Sequence, residues 1–185
     1  MNKYRLPKSI LIGDTECEIN TDFRDILQIF EILNDPDLLD QEKIIIALDW
    51  FYVTDDYLQD LEFAVKEMFA FINAGEPEST TRDLKPLYDW EQDFDIIVAP
   101  VNRILGTDVR GLDYLHWWTF LSAFMEIGEC TFSTYVSIRD KLNKHKKLEK
   151  YEERIYKENR DKIVLKKKYD FTTQALIDEI MGKEG

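Results

Sequence analysis

Between Glu129 and Met181 the chain carries neither glycine nor proline, so nothing in its backbone chemistry interrupts a helix over that span. One or two long helices are predicted there, with Tyr135, Ile138 and Leu142 apolar at first and Leu148, Tyr151 and Ile155 later. Between these groups, Lys141 to Lys150 is mostly charged, and Arg139 to Lys168 holds 13 basic and 6 acidic residues. The middle of this arm is therefore expected to be solvated or to touch something acidic. Thr172 or Thr173 can cap a last short helix that docks through Ala175, Leu176 and Ile180.

The rest of the chain punctuates itself more clearly. Ser9–Ile12 and Glu16–Ile19 are β-prone runs joined through Gly13-Asp14, which predicts a small hairpin. Asn20-Thr-Asp22 offers capping oxygens to a helix with Phe23, Ile26, Leu27, Phe30 and Leu33 on one face, ended by Asn34-Asp-Pro-Asp37. Asp40 can cap a second helix with the stripe Ile44, Ala47, Leu48 and Phe51. Asp55-Asp56 can cap a third, with Leu58, Leu61, Val65, Met68 and Ile72 inward and Gly75 as its stop. Residues 74–82 have loop composition. Asp89 then starts a helix through Trp90, Phe94, Ile97, Val98, Val101 and Leu105, which Pro100 should kink or divide and Gly106 should stop.

The expected fold is mainly α: a helical domain over residues 1–130 with a small N-terminal β-hairpin, followed by a basic C-terminal helical arm over 131–185. Charge follows that division. The net charge is −13, but residues 1–130 hold 10 basic and 27 acidic side chains, and residues 131–185 hold 14 basic and 10 acidic. The two parts should attract, or the arm should serve a different acidic surface. Cys17 and Cys130 are far apart with no C-x-x-C spacing, so free buried thiols are expected rather than a disulfide framework or a zinc site. No secretory leader is read at the N-terminus, and no apolar run approaches the ~20 residues that cross a bilayer. An intracellular protein is expected.

The segment Gly111–Phe124 concentrates two of the four tryptophans and one of the two histidines. Successive helix residues rotate by about 100°, so Trp117 and Trp118 cannot both centre one buried stripe. If Leu115, Trp118, Leu121 and Met125 face the core, Trp117 falls to the rim with Tyr114, and those two rings become the candidate partner-binding residues. The competing arrangement packs both indoles inside a helical domain with several covered faces. Asp113-x-x-His116 superficially matches a helical metal pair, but the other histidine, His145, sits in a lysine-rich run. A hydrogen-bonded histidine in an aromatic core is expected.

Catalytic templates find no anchor: G-x-G-x-x-G, the phosphate-binding G-x-x-x-x-G-K-[ST] and the G-x-S-x-G elbow are all missing. Acid pairs such as Asp35/Asp37, Asp55-Asp56 and Asp93/Asp95 read as caps or solvated faces. The basic run is interleaved with Glu149, Glu152, Glu153 and Glu158, and the acidic remainder would repel a polyanion, which argues against nucleic acid. A non-catalytic protein without cofactor or metal is expected.

The order of several motifs resembles the gene-product-fifteen family of long-tailed phages and prophages of Gram-positive bacteria. The matching pieces are the opening Leu-Pro and hairpin, Ile19-Asn-Thr-Asp-Phe-Arg24, Leu33-Asn-Asp-Pro-Asp-Leu38, Gln41-Glu-Lys43, Leu87-Tyr-Asp-Trp-Glu-Gln-Asp93 and Asp113-Tyr-Leu-His-Trp-Trp-Thr-Phe120. The resemblance implies a tail-morphogenesis protein similar to a tail assembly chaperone, acting in the host bacterial cytoplasm. Its implied partners are the tape-measure protein and the tail-tube protein; a homo-oligomer is left open, and the charge and hydropathy patterns give no expectation of a nucleic-acid or membrane partner. The alternative is a minor tail or connector protein retained in the virion.

Overall fold

A computed structural model describes residues 4–74 and 86–166 of the chain. The fold is mainly α-helical with one small antiparallel hairpin. Two compact units divide it, and neither is a continuous stretch of chain. Among the described residues the first unit comprises 4–74 and 114–119, and the second comprises 86–113 and 120–166. The division expected at residue 130 is thus not where the compact units part.

In the first unit, β1 (Ser9–Ile12) pairs antiparallel with β2 (Thr15–Glu18), Ile10 opposite Cys17. Gly13 turns the chain at φ +59°, a conformation that costs a residue with a Cβ. Ile10, Ile12 and Cys17 point inward by the two-residue alternation of strands. Asp22 caps α1 (Phe23–Leu33), accepting from the Arg24 amide at 2.9 Å. Phe23, Ile26, Ile29 and Leu33 are its buried face, while Leu27 and Phe30 are only partly covered. α1 packs on α2 (Asp40–Phe51), whose Ile44, Ala47, Leu48 and Phe51 are all buried. Asp40 is the first helical residue; the N-terminus is closed instead by Glu42, which accepts the Leu39 amide at 2.9 Å.

The third helix begins later than the acid pair suggested. Asp55–Asp60 form a 3-10 turn, and Asp60 caps α3 (Leu61–Ile72) through the Phe63 amide. Leu58, expected inward, is therefore exposed on the turn, whereas Val65, Met68 and Ile72 are buried. Gly75 and most of the 74–82 loop lie outside the described residues, as do the last helix expected after Thr172 and its docking face.

In the second unit, Asp89 caps α4 (Trp90–Leu105) and Gly106 ends it in the left-handed conformation at φ +71°. Pro100 does not divide this helix. Pro100 removes one backbone bond, but it is buried beside Ile97, Val98 and Val101, so packing holds the helix through it. A 3-10 turn at Val109–Gly111 follows, capped by Asp108. Helix α5 (Trp117–Met125) starts in the first unit and contributes Phe120 onward to the second.

Among the described residues, the stretch after Glu129 forms three short helices rather than the long arm expected, α6 (Thr131–Asn143), α7 (Lys150–Glu158) and α8 (Arg160–Ile163). Their first and last members pack back on the unit's own core: Tyr135, Ile138 and Ile163 are buried together, with Ile96, Leu142, Leu148, Ile155 and Tyr156 around them. Absence of glycine did not make one helix, because His145 adopts a positive φ of 52° and reverses the chain after α6. Arg139, from the basic span, is itself buried. It donates through Nη1 and Nη2 to the two carboxylate oxygens of Asp93 at 2.6 and 2.9 Å, and to the carbonyls of Ile163, Leu87 and Lys162 at 2.6, 3.1 and 2.9 Å. All five guanidinium N–H groups are used. A second buried acid, Glu152, receives Lys141 Nζ on both oxygens at 2.7 Å. Lys141, with the Glu149 amide, holds the Glu152 carboxyl below the usual carboxylate range.

Candidate docking surface

The aromatic segment expected to bind a partner serves the interior of the first unit. Residues 114–119 lie against the start of α1: the Phe23 amide donates to the Leu115 carbonyl at 2.9 Å, the Trp117 amide donates to the Thr21 carbonyl at 2.7 Å, and Asp22 accepts the Leu115 amide at 2.9 Å. Trp117 is 1% exposed, not on a rim. Its indole N–H donates to the Ile72 carbonyl at 2.8 Å, and that of Trp118 donates to the Phe71 carbonyl, also at 2.8 Å. The last carbonyls of a helix have no partner within it, so the Trp-Trp pair closes the C-terminus of α3 while burying the Trp117 ring fully and the Trp118 ring in part. Of the core partners expected for Trp118, Met125 is 76% exposed, while Leu115 and Leu121 are partly buried, as Trp118 itself is. Six of the nine α5 residues belong to the other unit, so a single stripe drawn along Leu115 to Met125 joined two environments.

His116 is buried in the same setting. Its Nδ1 accepts the Trp118 amide at 3.0 Å, so Nε2 carries the proton and donates to the Pro7 carbonyl at 3.0 Å. Phe71 meets the ring edge-on with centroids 5.7 Å apart. Burial pulls the imidazole pKa down, against the Pro7 hydrogen bond and with a further lowering from Lys8. Both nitrogens are engaged, and among the described residues no His, Cys, Asp or Glu cluster is suited to hold a metal ion. Cys17 is buried and free, its thiol pushed up by burial and then by Asp56; Cys130 is free and partly buried.

Tyr114 does reach the surface. It is half exposed, and its hydroxyl shares a 2.7 Å hydrogen bond with Thr21. The neighbouring Asn20 side chain donates to the Trp50 carbonyl at 2.7 Å, so Asn20-Thr21 fastens both Tyr114 and the end of α2.

The outward side of α2, from its N-cap to its C-terminal end, carries the apolar surface that the sequence reading missed. Opposite the buried stripe, Leu39 is 70%, Ile45 50% and Trp50 43% exposed, with Ile46 also in contact with solvent and Val53 following. Glu42 and Asp49 lie between Ile45 and the Leu39/Ile46/Trp50 side on this helix face. Asp49 is fixed in place by the Tyr57 hydroxyl, which donates to its Oδ1. Burial, then the Asp49 hydrogen bond, hold that phenol above its ordinary range, so it stays a donor. From Asp35 to Asp60 the sequence has eight acids and one base, Lys43, and Lys43 is buried and paired with Asp40 at 2.9 Å. The signal was present in Ile44-Ile45-Ile46 and Trp50-Phe51. Adjacent apolar residues on a helix face different ways, so one of each group had to point outward.

Chemically, such a surface favours association: apolar side chains supply the driving force and ionised carboxylates select the partner's charge. Fold and surface together define a mainly α-helical protein whose acidic first unit displays apolar side chains along a helix. Residues 3–170 match the family described as Bacteriophage Gp15 protein, and the chain belongs to that family. It is accordingly a phage structural or morphogenesis protein. No curated protein and no solved structure matches the chain.

Proposed function

We propose that the protein is a tail assembly chaperone that binds the phage tape-measure protein in the host bacterial cytoplasm. It acts there as a binding protein, without metal or cofactor, rather than as an enzyme. The observation that supports this reading is the outward face of α2, where Leu39, Ile45, Ile46 and Trp50 are presented within an acidic surface. A chaperone for a long amphipathic client needs apolar anchors that do not draw copies of the chaperone together, and surrounding negative charge supplies that repulsion. Membership of the Bacteriophage Gp15 family is consistent with this reading, since it gives the protein a structural or morphogenesis role.

The test is capture of the tagged protein from infected cells, with the tape-measure protein identified by mass spectrometry. A chaperone is expected to bring it down and to be absent from purified virions. Stoichiometric presence in virions would instead establish the minor tail or connector role.

A further inference from the structure

We infer that the outward face of α2 seats one amphipathic helix carrying Lys or Arg at heptad spacing beside its apolar seam. Ile46 and Trp50 are four residues apart, the spacing at which side chains share a helix face, and exposed Leu39 at the N-cap stands seven residues before Ile46. Glu42 and Asp49 are also seven residues apart and form a parallel row beside them, about 10.5 Å from one to the other at the rise of an α-helix. An apolar row flanked by charges repeated every seventh residue is the pattern by which paired helices choose a partner of opposite charge in the flanking row.

Three further observations narrow the occupant. Lys43, the one basic residue of the region, is buried against Asp40, so it does not offset the acidic row. Tyr57 fixes Asp49, which spares the carboxylate part of the ordering cost when a cation arrives. A second copy of this face would set acidic row against acidic row, which disfavours a symmetric pairing through α2. The inference rests on the proposed chaperone function only for the identity of the client; the chemistry of the occupant follows from α2 itself.

The experiment uses the full-length protein and two labelled synthetic helices with the same leucine seam, one flanked by lysines and the other by glutamates at heptad spacing. Fluorescence anisotropy is expected to show binding of the lysine helix and none of the glutamate helix. Ile46→Ala/Trp50→Ala should weaken the lysine helix about tenfold or more while the circular-dichroism melt stays unchanged. Glu42→Lys/Asp49→Lys should reverse the preference, although the protein as a whole remains strongly negative; general charge attraction alone would leave the preference as it was. Retained preference for the lysine helix in that variant would overturn the inference. So would unchanged binding in the alanine variant, or light scattering that shows a wild-type dimer dissolved by Trp50→Ala. In infected cells, equal capture of the tape-measure protein by wild type and the alanine variant removes the client from this face but leaves the chaperone role standing. Failure of wild type to capture it, with the peptide results as expected, removes the chaperone role and leaves the face standing.

Discussion

Replacing Arg139 by alanine is the most demanding perturbation of the second unit. The substitution leaves the Asp93 carboxylate 1% exposed, with the Asp89 amide at 3.1 Å still donating to it, and strips the guanidinium donor from three backbone carbonyls. Removing one member of a buried ion pair typically costs about 3–5 kcal/mol, because the remaining charge is no longer compensated. Each carbonyl left without a donor adds to that unless water reaches it. Arg139→Ala is therefore expected at the upper end of that range. Asp93→Ala is expected nearer the lower end, since Arg139 keeps Ile163, Leu87 and Lys162 as acceptors. Arg139→Lys keeps the charge but offers one ammonium where five donors diverge, and should still lose about 2 kcal/mol or more. Urea unfolding followed by both circular dichroism and tryptophan fluorescence measures these differences, the second probe checking whether the two units unfold together. A loss below about 1 kcal/mol for Arg139→Ala would refute the reasoning, because the pair would then be accessible to water or replaceable. The same contacts mean that a chain ending near Asn143, which lacks Lys162 and Ile163, should not retain a native second unit.

Three other outcomes are expected. Trp117→Ala should cost about 3–5 kcal/mol in thermal or urea unfolding, as large buried rings do, whereas Trp50→Ala should stay within about 0.5 kcal/mol because its ring lies at the surface. His116 has a lowered pKa in the folded protein, so the unfolded chain takes up the proton first. Its stability contribution is complete above the unfolded value of about 6.5 and is lost as pH falls from there through the folded value; unfolding curves across that window should show the fall, and His116→Gln should flatten it. Gly106→Ala should cost about 1–2 kcal/mol, the penalty of a Cβ in the left-handed conformation, since nothing lies within 4 Å of the added atom; a larger loss on melting would point to a clash instead.

Local chemistry was legible in the sequence. The hairpin turn at Gly13, the capping by Asp22 and Asp89, the stop at Gly106 and the buried stripe of α2 all depend on interactions within a few residues, which the amino-acid order specifies directly. The family was legible for a related reason, since several short motifs recur in a fixed order. Partners distant in sequence were not. Nothing around Arg139 distinguishes it from the exposed lysines that follow, and only α4, 46 residues earlier, brings Asp93 to its guanidinium. Trp117 and Trp118 read alike in sequence, and periodicity placed Trp117 on a rim; the carbonyl ends of α3, 45 and 47 residues earlier, bury one ring wholly and the other in part. The basic span became three helices folded onto their own unit because burial of Ile138 and Ile163 together outweighs the continuity that a glycine-free stretch permits. Which apolar residues remain outside, among them Leu39, Ile46 and Trp50, depends on how many faces of each helix are covered. Only the tertiary structure decides that, because burial is a property of neighbours and not of the residue itself.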